Sequence, residues 1–187
     1  MSEHIALFER PFYFLRHGQT ALNANRVIAG SIDTELTETG RRQAIEAGEI
    51  LAGHPITGVY TSALRRTRDT AAPIAQKLKL PVTVIAELGE RTWGALEGRP
   101  RDTRVPGVTP EGAESVEDFM RRVLCGLARI DTPVPLIVGH SGVFRVLSRK
   151  LRIVETEAPV TNALPLRFEP AVDGWKLIPL TEQGAEP

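Results

Sequence analysis

Cysteine is all but missing from the 187-residue chain, with Cys125 standing alone. No disulfide can therefore form within it, and the sequence reads as that of a protein of a reducing, cytoplasmic compartment. Cys125 falls in an apolar stretch of helical period without a neighbouring histidine, so it is expected in the core and not as a nucleophile. Long apolar runs are missing too: none approaches the roughly 20 residues that span a bilayer. Met1-Ser2-Glu3-His4 is too acidic and polar for a signal peptide. Nor is there an excess of either charge, since Lys plus Arg and Asp plus Glu number 23 each. That balance points to neither nucleic acid nor membrane as a partner. Repeats, low-complexity tracts and interdomain linkers are also lacking. With 42% hydrophobic and 25% charged residues, the chain suits one globular domain over 1–187, with 1–10 and 181–187 expected as loose ends.

What is present begins with the apolar run Pro11–Leu15, which has three aromatics and the make-up of a buried strand. It breaks off into Arg16-His17-Gly18-Gln19-Thr20, with Asn23 beyond. In open α/β sheets, ligands bind past the carboxyl ends of the strands. A strand ending in Arg-His-Gly carries a cation and an imidazole to such a crevice. Gly18 is read as letting the backbone approach a ligand closely, and Asn23 as a neutral donor. A loop holding Gly30 and Asp33 leads to Thr37, the expected N-cap of a helix. Ala44, Ala47, Gly48 and Leu51 recur on one face of that helix, which predicts close packing on a sheet. His54 is read as a solvated loop histidine.

Gly58–Thr61 reads as a strand and Ser62 as the N-cap of a helix reaching Lys79, with Leu64, Ala71, Ile74, Ala75 and Leu78 on its apolar face. Arg65, Arg66 and Arg68 fall in the first turn, where the helix dipole is already positive. Three cations there are unfavourable unless an anion sits at the helix N-terminus. Pro81–Ile85 is a further strand. After Glu87 and Glu90 comes a basic loop, Arg99–Gly107, punctuated by Pro and Gly and long enough to serve as a flap. Ser115 and Asp118 form a capping-box pattern. The stripe Val116, Phe119, Met120, Val123, Leu124 and Leu127 behind it is read as core. Val134–Val138 is a continuous apolar strand that ends in Gly139-His140-Ser141-Gly142, and a short helix follows over Val143–Leu151. Leu164–Phe168 and Trp175–Leu180 pair across Asp173-Gly174. This alternation predicts an α/β fold, a three-layer α/β/α sandwich with a mostly parallel central sheet.

Two strand-end histidines, recruited arginines and a loop carboxylate make an anion site with a nucleophile and an acid, as phosphoryl transfer requires. The pattern resembles the histidine phosphatase superfamily, the phosphoglycerate mutase-like proteins. Leu15–Thr20 with Asn23 is similar to that family's opening motif. Gly30, Asp33, Leu36-Thr37 and Gly40 fit the spacing that follows. Ser62–Ala71 resembles the second-arginine motif, and its register selects Arg66. Glu90–Gly98 resembles the acid motif and selects Glu90 over Glu87. Glu114-Ser115 with Arg122 fits a structural helix signature, and Val138-Gly139-His140 fits the second histidine.

By that resemblance His17 attacks the phosphorus of a small phosphorylated metabolite and becomes phosphohistidine. Arg16, Arg66 and His140 hold the phosphoryl oxygens. Glu90 protonates the leaving alkoxide and then acts as base for water, starting protonated beside the phosphate dianion. Asn23, Gln19, Thr20, Gly30, Arg91 and Ser141 are the expected substrate-binding residues. No metal or cofactor is expected, because the arginines supply the charge. The chain is expected as a monomer or homodimer that binds neither nucleic acid nor membrane.

Ala63 and Asp69 stand where the second-arginine motif usually has proline and glutamine. Ala29 replaces the hydroxyl residue that mutases carry before the glycine. Arg91 after Glu90 is mutase-like and a candidate for a substrate carboxylate, and Arg101 and Arg104 are candidates for a second phosphate. The alternatives are a cofactor-dependent phosphoglycerate mutase and a non-catalytic phosphate-binding regulatory module. Gly139–Val143 nearly spells the nucleophile elbow of α/β-hydrolases. That reading fails because Val143 replaces the last glycine and no histidine follows His140.

Overall fold

The computed structural model describes residues 4–153 and 160–181. Its frame is one six-stranded sheet in the order β3-β2-β4-β1-β5-β6. The strands are β1 (Phe12–Arg16), β2 (Gly58–Thr61), β3 (Val82–Val84), β4 (Pro135–Gly139), β5 (Pro165–Ala171) and β6 (Gly174–Pro179). β1 to β4 run parallel, and β5 and β6 join antiparallel at the β1 edge. Helices α1 (Ala21–Ala24), α2 (Glu38–Leu51), α3 (Arg65–Leu78), α4 (Val116–Leu127) and α5 (Ser141–Lys150) complete the chain. Among the described residues no helix is long and apolar enough to cross a membrane.

The strand alternation splits the core into two halves. Phe12, Phe14 and Ile137 point to one side of the sheet, where they meet Phe119 and Val123 of α4 and Val143 and Leu147 of α5. Tyr13, Leu15, Leu136 and Val138 point to the other side, against Ala47 and Leu51 of α2 and Ala71 and Ile74 of α3. This is the α/β/α sandwich. It also fixes the site: β1 and β4 are neighbours, yet the helices that follow them pack on opposite faces. Such a switch point leaves a crevice at the carboxyl ends of the two strands.

Several expectations need correction. Residues 5–9 are not a loose end, because Ile5 and Leu7 are buried in the core on the α4 side. Residues 182–187 lie outside the described part. Ser62 does not cap α3, whose N-cap is Leu64. Cys125 is exposed, since it sits across the helix from the buried stripe of Phe119, Val123 and Leu127. His54 is not simply solvated, for its Nδ1 lies 3.2 Å from the Tyr13 hydroxyl. Gly18 serves packing and not ligand approach: a Cβ there would stand 2.5 Å from the Gly40 carbonyl oxygen. The turn after β1 is thereby pressed onto the first turn of α2.

Candidate active site

His17 follows β1 and His140 follows β4, and the two strands pair with Arg16 opposite Gly139. The imidazoles therefore meet, with ring centroids 5.4 Å apart. Around His17 the backbone is held on both sides. Its N–H donates to the Gly139 carbonyl at 3.0 Å, its own carbonyl accepts from Asn162 Nδ2 at 2.7 Å, and Gly18 N donates to Thr70 Oγ1.

The His17 ring has one hydrogen-bond partner among the described residues, the Gly18 carbonyl at 2.8 Å from Nδ1. A carbonyl only accepts, so Nδ1 carries the proton and Nε2 keeps its lone pair. Burial first, then the Arg66 and Arg16 guanidiniums, hold the His17 pKa well below 6.5. The ring is thus neutral near pH 7. His140 is held low as well, by burial, then by Arg66 and His17. Its Nε2 lies 2.9 Å from Ser62 Oγ, while its Nδ1 is buried with no partner.

Arg66 is among the largest fully buried side chains. Its two Nη atoms donate to the carbonyls of Ile32 and Gly30, each at 2.7 Å. No carboxylate pairs with it among the described residues, and its Nε is unpartnered. A buried charge left without a counterion costs several kcal/mol, roughly, so the place is prepared for an anion. Gly30 supplies its carbonyl from φ +51°, where a Cβ would strike the Glu97 carboxylate. Glu97 in turn accepts from Ser31 and from Trp93 N. Arg65 faces outward and pairs with Glu35 and Asp69, and Arg68 is exposed. Arg16 donates to the Val160 carbonyl at 2.9 Å. Burial and then the nearby Arg101 bring its pKa down to about 10, so it stays cationic at neutral pH.

Glu90 sits across the crevice. Its carboxylate accepts from Arg91 N at 2.9 Å, from Gly142 N at 3.1 Å and from Ser141 Oγ at 3.3 Å. The α5 N-terminus thus holds the acid in place. Gly142 is required there, because a Cβ would come within 2.0 Å of Glu90 Oε1. Arg122 fixes the backbone beneath, donating to the carbonyls of Glu87, Gly89 and Glu90 while paired with Glu114 at 2.7 Å. Glu87 points outward to Arg129.

Arg16, His17, Arg66 and Glu90 border one cavity of about 630 Å³, a size usual for small-molecule sites; the fully buried His140 is not on the wall of that cavity. Its wall holds Arg16, His17, Thr20, Asn23, Gly30, Arg66, Glu90, Arg91 and Ser141, with Ala29 beside Gly30. Thr20 and Asn23 form a reciprocal cap that opens α1, and Asn23 Nδ2 remains buried and unpartnered. Gln19 is not on the wall; its Oε1 accepts from Thr37 Oγ1 at 2.9 Å and so ties β1 to α2. Arg91 is on the wall but engaged, donating from Nε to the Glu114 carbonyl at 2.8 Å and lying 4.6 Å over the Trp93 ring. The α4 stripe is not core alone, for Val116, Phe119 and Met120 also line the cavity.

Among the described residues, no three His, Cys, Asp or Glu side chains cluster at metal-binding spacing. Sequence reasoning missed Ser62, Thr70, Glu97, Asn162 and Arg145. Only for Ser62 and Thr70 was there a signal, since both lie in the second-arginine motif.

Comparison with known proteins assigns the family. The family model described as histidine phosphatase superfamily (branch 1) matches residues 12–183. An uncharacterized phosphatase, PhoE, of Bacillus subtilis is 31% identical over 173 residues, which covers 87% of this chain and 90% of that protein. A probable phosphoglycerate mutase, GpmB, of Citrobacter koseri is 37% identical over 147 residues, 68% of either chain. Among solved structures, a mycobacterial glucosyl-3-phosphoglycerate phosphatase in complex with VO3 superimposes with a TM-score of 0.76 at 28% identity, over 91% of this chain and 98% of that one. The chain belongs to the histidine phosphatase superfamily.

Proposed function

We propose that the protein hydrolyses small phosphomonoesters through a phosphohistidine at His17, without a metal. The observation that carries this reading is the bare Nε2 of His17, a neutral imidazole facing a cavity whose buried guanidiniums lack counterions. Arg16 and Arg66 draw two phosphoryl oxygens, and the Nδ1–H of His140 takes the third with Asn23 Nδ2 beside it. The Nε2 lone pair forms a bond to phosphorus as the ester P–O bond breaks, and the leaving alkoxide takes the Glu90 proton. Water then attacks the phosphohistidine and gives its proton to Glu90. Inorganic phosphate leaves and His17 is restored.

Relatives named as phosphatases support hydrolysis. The relative named as a probable phosphoglycerate mutase supports the second reading, a cofactor-dependent mutase. The complete set of His17, His140, Arg16, Arg66 and Glu90 speaks against a non-catalytic module. One assay separates these readings: supply 3-phosphoglycerate with catalytic 2,3-bisphosphoglycerate and follow isomer and inorganic phosphate together, with and without a chelator. Hydrolysis predicts phosphate released at least as fast as isomer, and unaffected by the chelator. Isomer far ahead of phosphate would make the mutase the better reading.

A further inference from the structure

The peptide unit between His17 and Gly18 is held at both poles by side chains from two other parts of the chain. Its carbonyl accepts from Asn162 Nδ2 at 2.7 Å, and its N–H donates to Thr70 Oγ1 at 2.9 Å. The directions of these bonds are fixed. Thr70 has one hydroxyl proton and gives it to the Arg66 carbonyl at 2.7 Å, so toward Gly18 it can only accept. The next carbonyl along the chain, that of Gly18, is the acceptor for the His17 ring, 2.8 Å from Nδ1. Thr70 is fully buried, one turn beyond Arg66 in α3. Asn162 stands before β5, 145 positions from His17. Beside it Ala163, at φ +52°, donates its N–H to the Arg16 carbonyl at 2.8 Å. That left-handed backbone is unfavourable for a residue with a Cβ and persists where its surroundings dictate it. Neither Thr70 nor Asn162 lines the cavity.

Resting on the phosphohistidine reading, we infer that Thr70 and Asn162 are positioning residues for the nucleophile, which clamp the peptide between His17 and Gly18 and through it the His17 ring. A peptide beside a glycine turns easily, because glycine restricts its dihedrals so little. Without the two bonds this plane rotates and carries the Gly18 carbonyl away from Nδ1. The ring then loses both its orientation and the acceptor that keeps the proton on Nδ1 and the lone pair on Nε2. A displacement of an ångström at a reacting atom is enough to slow the chemistry strongly. A threonine inside a helix often bonds back to the carbonyl four residues earlier, and Thr70 does so at Arg66. That bond uses only its proton; its lone pair serves Gly18 N, a buried donor from a different element. Thr70 thereby ties the backbone of Arg66 to the turn that carries His17, so guanidinium and imidazole keep one spacing.

Three variants test this. Thr70→Val keeps the shape and removes the hydroxyl, Thr70→Ser keeps the hydroxyl, and Asn162→Leu removes the amide donor at similar volume. Each is followed by the single-turnover release of nitrophenol from nitrophenyl phosphate, by calorimetric binding of inorganic phosphate, and by the nitrogen chemical shifts of His17. Thr70→Val and Asn162→Leu should each slow the single turnover by about 10- to 100-fold and leave the Kd for phosphate within about threefold of wild type. In both, His17 should pass from one Nδ1–H tautomer to a mixture. Thr70→Ser should return rate and tautomer to near the wild-type values. The two bonds hold one plane, so Thr70→Val/Asn162→Leu should lose less than the product of the single losses. Rate and tautomer unchanged in Thr70→Val and Asn162→Leu, or a loss in Thr70→Ser as large as in Thr70→Val, would reduce both contacts to packing and overturn the clamp. Should Thr70→Val fail to fold, Asn162→Leu decides by the same rate and tautomer. Turnover that survives in His17→Ala would instead remove the phosphohistidine reading, and a tautomer change in Asn162→Leu would leave the clamp on the ring standing.

Discussion

Ser62 Oγ lies 2.9 Å from His140 Nε2, on the side of the ring away from the unpartnered Nδ1. His140 is neutral, so one of its two nitrogens bears the proton, and Ser62 decides which. Thr67 Oγ1 lies 2.8 Å from Ser62 Oγ and 2.8 Å from the Leu64 carbonyl: when Thr67 donates to Ser62, the Ser62 proton is left for Nε2, and when it donates to Leu64, the Ser62 proton goes to Thr67 and Nε2 carries the ring proton. With Ser62 as donor, the ring N–H is at Nδ1, the atom that the proposed chemistry needs for a phosphoryl oxygen.

Ser62→Ala should therefore lower kcat/KM by about 10- to 100-fold, the range expected when a buried polar group loses its partner. Nitrogen chemical shifts of His140 should show the proton at Nδ1 in the wild-type protein and a mixture of tautomers in the variant. An unchanged tautomer in Ser62→Ala would reduce Ser62 to a packing role.

The two depressed histidines set a pH dependence whose sign follows from linkage. Below about 6.5 the unfolded chain takes up protons that the folded site refuses. Stability is then lost as pH falls, by up to ~1.4 kcal/mol per pH unit for each histidine until its folded pKa is reached. Above about 6.5 this contribution is flat. Urea melts of the wild-type protein against His17→Gln/His140→Gln should diverge between about pH 7.5 and 5.5, the variant losing less. Parallel losses would mean that these imidazoles take up protons as readily as in the unfolded chain.

Gly142 gives a separate handle on the acid. Alanine there would place a Cβ 2.0 Å from Glu90 Oε1 and 2.9 Å from Phe119 Cζ, so the carboxylate must move. Gly142→Ala and Glu90→Gln should share one signature. Each should slow alkyl phosphates by roughly 10²–10⁴-fold and nitrophenyl phosphate far less, because a good leaving group needs little protonation. Glu87→Gln, at a carboxylate turned toward Arg129, should show no such discrimination. An equal loss on both ester types would remove Glu90 from the acid role.

Much of this site was legible because it hangs on strand ends. A five-residue apolar strand that stops at Arg16-His17 and another that stops at His140 announce themselves by composition. Parallel neighbours then bring the two ends together without further information. Arg66 could be told from Arg65 and Arg68 only through a motif register. The physical difference, complete burial against two carbonyls of the Gly30–Ile32 loop, is tertiary and has no local trace. The same holds for Asn162, which reaches His17 across 145 positions, and for Arg145, which reads as the exposed face of an ordinary helix. Gln19 and Gly18 lie within the opening motif and yet serve the junction with α2, since a motif records spacing and not which side of the chain a ligand takes. Cys125 has an apolar neighbourhood in sequence but is not buried, because the helical period turns that position to solvent.

The central claim is that phosphate passes through His17. The most direct measurement mixes the protein briefly with a radiolabelled phosphomonoester, quenches it, and asks where label is retained. The account predicts one acid-labile, base-stable phosphoryl group per chain, on the His17 peptide, absent from His17→Ala and longer-lived in Glu90→Gln. Label that persists in His17→Ala, or that maps to His140, would contradict it.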